Sequence, residues 1–319
     1  MTYSSSLQSR FVSGKHTPLI LILLSVLLWG VVLFLLPVPH NFLWNGAGRL
    51  LSMAIPPVCY LIVAFMLGSI HLYERRISWL APLYLLLTAS AVRLHYDVEV
   101  AVSTLLFVFL VKMLLACQPD ERAAGSLFSA FALLCLSSFF LPQCVFLLPL
   151  FVVYMSVVGL TGVRMWLSAA LGFFMPFWFL AGTLYVWPEF AGYVPPLVTY
   201  VEELSIMDFA EIGTFRILYA VAELGIMLPA MALFAASSVP GKPHLRKRLL
   251  FVMLANAVLF ALSWFSGPNY ELLYAWRVPG VAIMLSYLFS SKVTRLSNVY
   301  FIVVVLYWLI LMVLDVWLN

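Results

Sequence analysis

Long apolar runs separated by short polar or Pro-rich breaks make up almost the whole chain, near residues 18 to 36, 50 to 70, 77 to 92, 98 to 116, 123 to 141, 143 to 161, 163 to 186, 216 to 238, 249 to 266, 276 to 291 and 298 to 318. A hydrocarbon core about 30 Å thick takes about 20 residues at helical rise. The pattern therefore predicts an all-α, polytopic transmembrane helical bundle of about eleven spans. Ten and twelve spans are the alternatives. The run 77 to 92 is short and is followed by a very short connection, Arg93 to Asp97, so this pair of segments also reads as a re-entrant hairpin. The runs 123 to 141 and 143 to 161 meet at Pro142-Gln143, where proline stops the first helix and favours a tight turn. The whole chain, 1 to 319, is expected to form one integral membrane domain, with sub-blocks 1 to 238 and 249 to 319 on either side of the basic loop 239 to 248.

Composition agrees with this pattern: 65% of residues are apolar and 9% charged, where soluble domains carry about 25% charged residues. Where the charges lie then sets the orientation. With the N-terminus in the cytoplasm, 13 of the 17 Lys and Arg residues fall inside, leaving Arg49, Arg93, Arg216 and Arg277 outside, the bias expected of the positive-inside rule. The C-terminus then lies outside. Of the 13 acids, Glu74, Asp120 and Glu121 fall inside, and the rest fall on the outer side or in the outer half of a span. Arg10 and Lys15 precede the first run. That run lacks a small-x-small cleavage pattern, so it reads as an uncleaved first helix in a bacterial inner membrane.

Several chemistries find no signature. The longest stretch outside the runs, Trp187 to Phe215, has 29 residues, too few for a nucleotide-binding domain, and no phosphate-binding G-x-x-x-x-G-K-[ST] occurs. Cys59, Cys117, Cys135 and Cys144 lack CxxC spacing and read as packing residues. The five histidines show no HxxH or HExxH spacing. No cofactor, metal or nucleic acid is expected; the expected partners are membrane lipids and a lipid-linked saccharide.

Ionisable groups inside a bilayer cost several kcal/mol unless paired or hydrated, so each one is a functional candidate. Glu223 lies seven residues beyond Arg216, about 10 Å into its span, and is followed by the helix-loosening Gly225 and Pro229. Its expected place is the bundle interior, with an arginine of another helix, or Arg216, as partner. Asp97 and Glu99 suit the outer start of the next helix, where carboxylates complement the helix dipole, with Arg93 just before them. An acidic outer loop contains Glu202 and Glu203, and Glu271 precedes Arg277, which is expected to begin a helix after the Gly267-Pro268 turn. Arg93, Arg216 and Arg277 could fork phosphate oxygens, while Asp97 and Glu223 could act as bases. Glu202, Glu203 and Glu271 complete a candidate substrate-binding set.

The stretch Asp120-Glu121-Arg122-Ala123-Ala124-Gly125-Ser126 through Ser137-Ser138-Phe139-Phe140-Leu141-Pro142 continues with Gly162-Val163-Arg164-Met165-Trp166 to Pro176. With Arg10-Phe11 to Pro18, it resembles an uncharacterised family of multi-pass inner-membrane proteins of Bacteroidetes, best over residues 10 to 185. The resemblance implies a bacterial envelope protein and brings no catalytic residue with it. Two classes of function stay open beside a membrane scaffold. One is an enzyme processing a lipid-linked phosphosugar at the outer leaflet, as polymerases, ligases and membrane glycosyltransferases do. The other is a secondary transporter or lipid flippase using Glu223.

Overall fold

A computed structural model describes residues 7–35, 47–70, 77–95, 97–117, 123–140, 142–189, 214–236, 243–265, 270–290 and 294–318. Among these residues the structure is helical and has no strand. The α-helices in chain order are α1 (Leu7–Ser13), α2 (Thr17–Leu35), α3 (Ala47–Ser69), α4 (Leu80–Ser90), α5 (Val98–Ala116), α6 (Ala123–Phe140), α7 (Leu148–Val158), α8 (Val163–Val186), α9 (Thr214–Ala236), α10 (Pro243–Phe265), α11 (Tyr270–Ser290) and α12 (Arg295–Leu318). Among the described residues four helices are long and apolar enough to cross a membrane, and a fifth span is counted if α1 and α2 form one bent unit. The chain is a polytopic helical membrane protein.

Several helices depart from the pattern of apolar runs. The run 77 to 92 contains only the 11-residue α4, about 16 Å long, followed by a 3-10 turn at Val92–His95. The run 143 to 161 is likewise divided into a 3-10 turn, Pro142–Leu147, and the 11-residue α7. In an apolar solvent, hydropathy cannot distinguish a tight turn from an α-helix, because both satisfy their own backbone groups. Helices α10 and α11 each start six residues before the runs at 249 and 276. His244, Arg246, Lys247 and Arg248 therefore belong to the first turns of α10 and not to a linker. Arg277 does not begin a helix, as the run had suggested; it lies seven residues into α11.

Helix α11 is the hub. It packs against α4, α5, α9 and α10, and 89% of its apolar window is buried. Trp276 shows how it is held: its ring stacks on Phe107 of α5 at 4.4 Å, and its Nε1 donates to Ser103 Oγ at 3.3 Å. Helix α9 is bound to α12 by two tyrosines. Pro229 has no N–H to give the carbonyl of Gly225 four residues earlier. Tyr300 donates its hydroxyl to that freed carbonyl, and one further pair of turns along, Tyr307 donates to Leu218 O at 2.9 Å. The pairings 300 with 225 and 307 with 218 fix α9 and α12 as antiparallel.

The periphery is built differently. Helices α6 and α8 touch backbone to side: a Cβ at Gly172 would lie 2.3 Å from the carbonyl oxygen of Phe128, so only glycine permits this approach. At the other end, α1 turns 92° from α2. Its Gln8 ties the two ends of the described chain together. Gln8 Nε2 donates to Phe289 O at 2.9 Å, its N–H donates to Asn298 Oδ1 at 3.0 Å, and Ser297 Oγ donates to Gln8 Oε1 at 2.7 Å.

Candidate functional site: a buried ion pair

Helices α9 and α11 bring together the two ionisable groups that each carries in its third turn. Glu223 lies nine residues from the start of α9 at Thr214, about 14 Å along it, and Arg277 seven residues from the start of α11 at Tyr270, about 10 Å along it. Both side chains are fully buried, at 1% and 0% exposure, and Arg277 Nη1 lies 2.8 Å from Glu223 Oε2. Helical side chains lean toward the N-terminal end of their helix. Accordingly, the guanidinium carbon is 5.6 Å from the centroid of the Tyr270 ring, 5.7 Å from that of Tyr274 and 5.4 Å from that of Phe260 on α10. Nη1 also donates to Ser263 Oγ at 3.1 Å, and Ser263 passes its own proton to Phe260 O at 2.7 Å.

Charge is balanced here. Besides Glu223 and Ser263, the guanidinium has the Tyr270 side chain within hydrogen-bonding reach. The 2.8 Å approach of Nη1 to Oε2 is a charge-assisted contact and holds the pair. Such a buried pair gains little net stability, because desolvating two ions offsets most of their attraction. Removing one partner is a different matter, since it leaves a lone charge in an apolar interior. The arrangement makes each group depend on the other. A proton on Glu223, or an anion at the guanidinium, could separate the two groups at modest cost.

The other candidates are placed differently. Arg216 is half-buried, its guanidinium carbon 4.8 Å from the Tyr270 centroid. Tyr270 thus lies beside both arginines. Glu271 is half-buried in the first turn of α11. Asp97 is the N-cap of α5 and accepts from Val100 N at 3.1 Å, which uses it for the helix start. Next to it, His95 is buried, with Nδ1 3.0 Å from Ala91 O and its ring 3.7 Å from that of Trp29. The backbone of Arg93 lies in the Val92–His95 turn, and its side chain is outside what is described. Glu202 and Glu203 lie outside the described residues. Of the three candidate phosphate-binding arginines, Arg277 is enclosed and faces Glu223.

Phe260, Ser263 and Tyr274 escaped the sequence reading. A signal was present: Tyr270, Tyr274 and Arg277 follow the 4, 3 spacing of one helical face. It becomes visible only once α11 is started at Tyr270. Among the described residues no three His, Cys, Asp or Glu side chains come together as a metal site.

The fold and the ion pair define a class, the polytopic helical membrane proteins with an ionisable pair enclosed in the bundle. Compared with family models, curated proteins and solved structures, the chain matches none.

Proposed function

We propose that this chain is a multi-pass carrier or flippase of the bacterial inner membrane that moves an anionic lipid, with Glu223–Arg277 as its coupling element. The observation that carries this reading is the fully buried ion pair in the third turns of α9 and α11. Ionisable groups at such depth are costly and mark ion, proton or substrate paths. Protonation of Glu223 frees the Arg277 fork for a phosphate, and loss of the proton expels it, so one exchange couples the two events. In this reading the chain is a single membrane domain of about eleven spans, with its N-terminus in the cytoplasm and its C-terminus outside. The positive-inside bias and the resemblance to the Bacteroidetes family support an inner-membrane location.

The test is movement of fluorescent phosphatidylglycerol across proteoliposomes holding the full-length protein, followed by quenching from outside. Wild type is expected to move the probe, and Glu223→Gln to stop it even when rates are compared per folded protein, since the titratable proton is lost; some loss of abundance is expected as well, because Arg277 is left without its anion. Wild-type rates in Glu223→Gln, or loss of folded protein as its sole effect, would reduce the pair to a structural one.

The second reading keeps the lipid and changes the chemistry: an enzyme processing a lipid-linked phosphosugar at the outer leaflet. The closeness of Tyr270 to both Arg216 and Arg277 favours it, because two guanidinium groups near one ring suit a sugar phosphate. A product of changed mass from a lipid-linked saccharide, formed by wild type and not by Arg216→Lys, would select this reading.

A further inference from the structure

A second feature has no part in the ion pair. Helices α2, α4, α11 and α12 leave between them an apolar cleft of about 290 Å³. Its lining includes Leu21 and Leu28 of α2, Leu83 and Leu87 of α4, and Phe301 and Trp308 of α12. The cleft follows the helix axes, since residues 21 to 28, 83 to 90 and 301 to 308 each cover about 10 Å at helical rise. Its shape is therefore a slot parallel to the membrane normal, the direction in which acyl chains lie. It holds about twice the roughly 150 Å³ of an apolar cavity that accepts one benzene and stays dry. Water has no reason to enter it.

One end of the slot is closed by α1. Phe11 of that helix lines the cleft and packs on Phe301 at 5.2 Å and on Trp79 at 5.3 Å. The three hydrogen bonds of Gln8 pin α1 to the C-terminal end of α11 and the start of α12. Arg10 lies two residues beyond Gln8 and Arg295 two residues before Ser297, and the α1–α2 turn adds Lys15; all three are exposed. The segments that close the slot thus carry exposed cations, and no acidic residue lies on α1 or in the first turn of α12. Hydrocarbon below and positive charge above complement an anionic lipid.

We propose that this cleft binds one acyl chain of an anionic glycerophospholipid, whose headgroup is held at the α1 corner by Arg10, Lys15 and Arg295. The proposal is independent of the carrier reading, because it uses neither Glu223 nor Arg277. Bound this way, the lipid joins α1, α2 and α12 across the seam closed by Gln8.

The experiment takes full-length protein from vesicles of phosphatidylcholine with a minor share of phosphatidylglycerol and weighs retained lipid by native mass spectrometry. Wild type is expected to retain one phosphatidylglycerol per chain in preference to phosphatidylcholine. Val305→Trp and Leu24→Trp, which fill the cleft from half-exposed positions, are expected to empty it. Each of Arg10→Gln, Lys15→Gln and Arg295→Gln is expected to lower the preference for phosphatidylglycerol about fivefold. These three positions are exposed, so they keep the test decisive if a filled variant does not fold. Equal retention of the two lipids by wild type, unchanged retention in folded filled variants, or unchanged preference in the glutamine variants would each overturn the proposal.

Discussion

Helices α8 and α11 have nearly the same hydropathy and both exceed 20 residues, yet 17% of the apolar window of α8 is buried and 89% of that of α11. In water such a difference would be visible in the polar face of the peripheral helix. In a bilayer the surroundings of a helix are as apolar as the protein interior, so hydropathy reports the membrane and not the position in the bundle. What separates the two helices is residue size and polarity. Helix α8 presents Phe174, Trp178, Phe179 and Tyr185 outward and meets α6 through Ala169 and Gly172. Helix α11 buries Arg277, Ser286 and Trp276 and finds each of its long polar side chains a place among four neighbours.

The largest effect is expected from removing the charge of α11. Arg277→Met leaves Glu223 enclosed without its cation, at a cost of about 3–5 kcal/mol. The measurement is the fraction of monodisperse protein in mild detergent, which should fall sharply. Adding Glu223→Gln to the same chain should restore most of it, because the orphaned charge is then gone. A single variant as well folded as wild type would mean that α11 is not organised around its ion pair, and the contrast with α8 would lose its physical basis.

A smaller and more local effect is expected at the periphery. Gly172→Leu forces α8 away from the Phe128 carbonyl, an overpacking of about 1–3 kcal/mol. It should lower the unfolding temperature in detergent. Since α8 does not carry the pair, its effect should add to that of Glu223→Gln to within about 0.3–0.5 kcal/mol. Clear non-additivity would show that α8 and the centre of the bundle are coupled, and would erase the division between rim and hub.

How much of this could be read beforehand varies by element. Helices α5 and α8 coincide with their apolar runs, because charged or Gly-rich segments flank them on both sides. The interior position of Glu223 follows from the cost of a carboxylate in acyl chains. Its partner was less accessible. Among four outer arginines, Arg277 stands out only when the segment from Tyr270 to Ala275 is counted as helix, and the preceding Gly267-Pro268 had assigned that segment to a connection. With that helix start, Glu223 and Arg277 both fall in the third turn of their helices, the one sequence-level hint of their pairing. Asp97 is the opposite case. Its capping role was legible from position alone, whereas its neighbours, His95 and Trp29, come from contacts that no spacing reveals. The short α4 and α7 were legible in part: the run 77 to 92 is short for a span and Pro142 marks a tight turn, while continuing apolar composition hid how far the 3-10 turns extend.

The smallest expected effect isolates the same contrast in a single residue type. Trp276 of α11 and Trp178 of α8 have identical side chains in the two environments, at 1% and 81% exposure. Replacing Trp276 by Ala removes the stack on Phe107 and the indole bond to Ser103 and opens a cavity, for about 3–5 kcal/mol. Trp178→Ala removes a ring that touches mainly bilayer, and lipid chains fill the space it leaves. Its effect is expected to stay within about 0.5 kcal/mol, as for substitutions away from packed features. Thermal unfolding in lipid nanodiscs measures both on one scale. Should Trp178→Ala approach the cost of Trp276→Ala there, the outer face of α8 cannot be facing lipid. It would then be a protein interface, and α8 would be as much a packed helix as α11, with its neighbour in another chain.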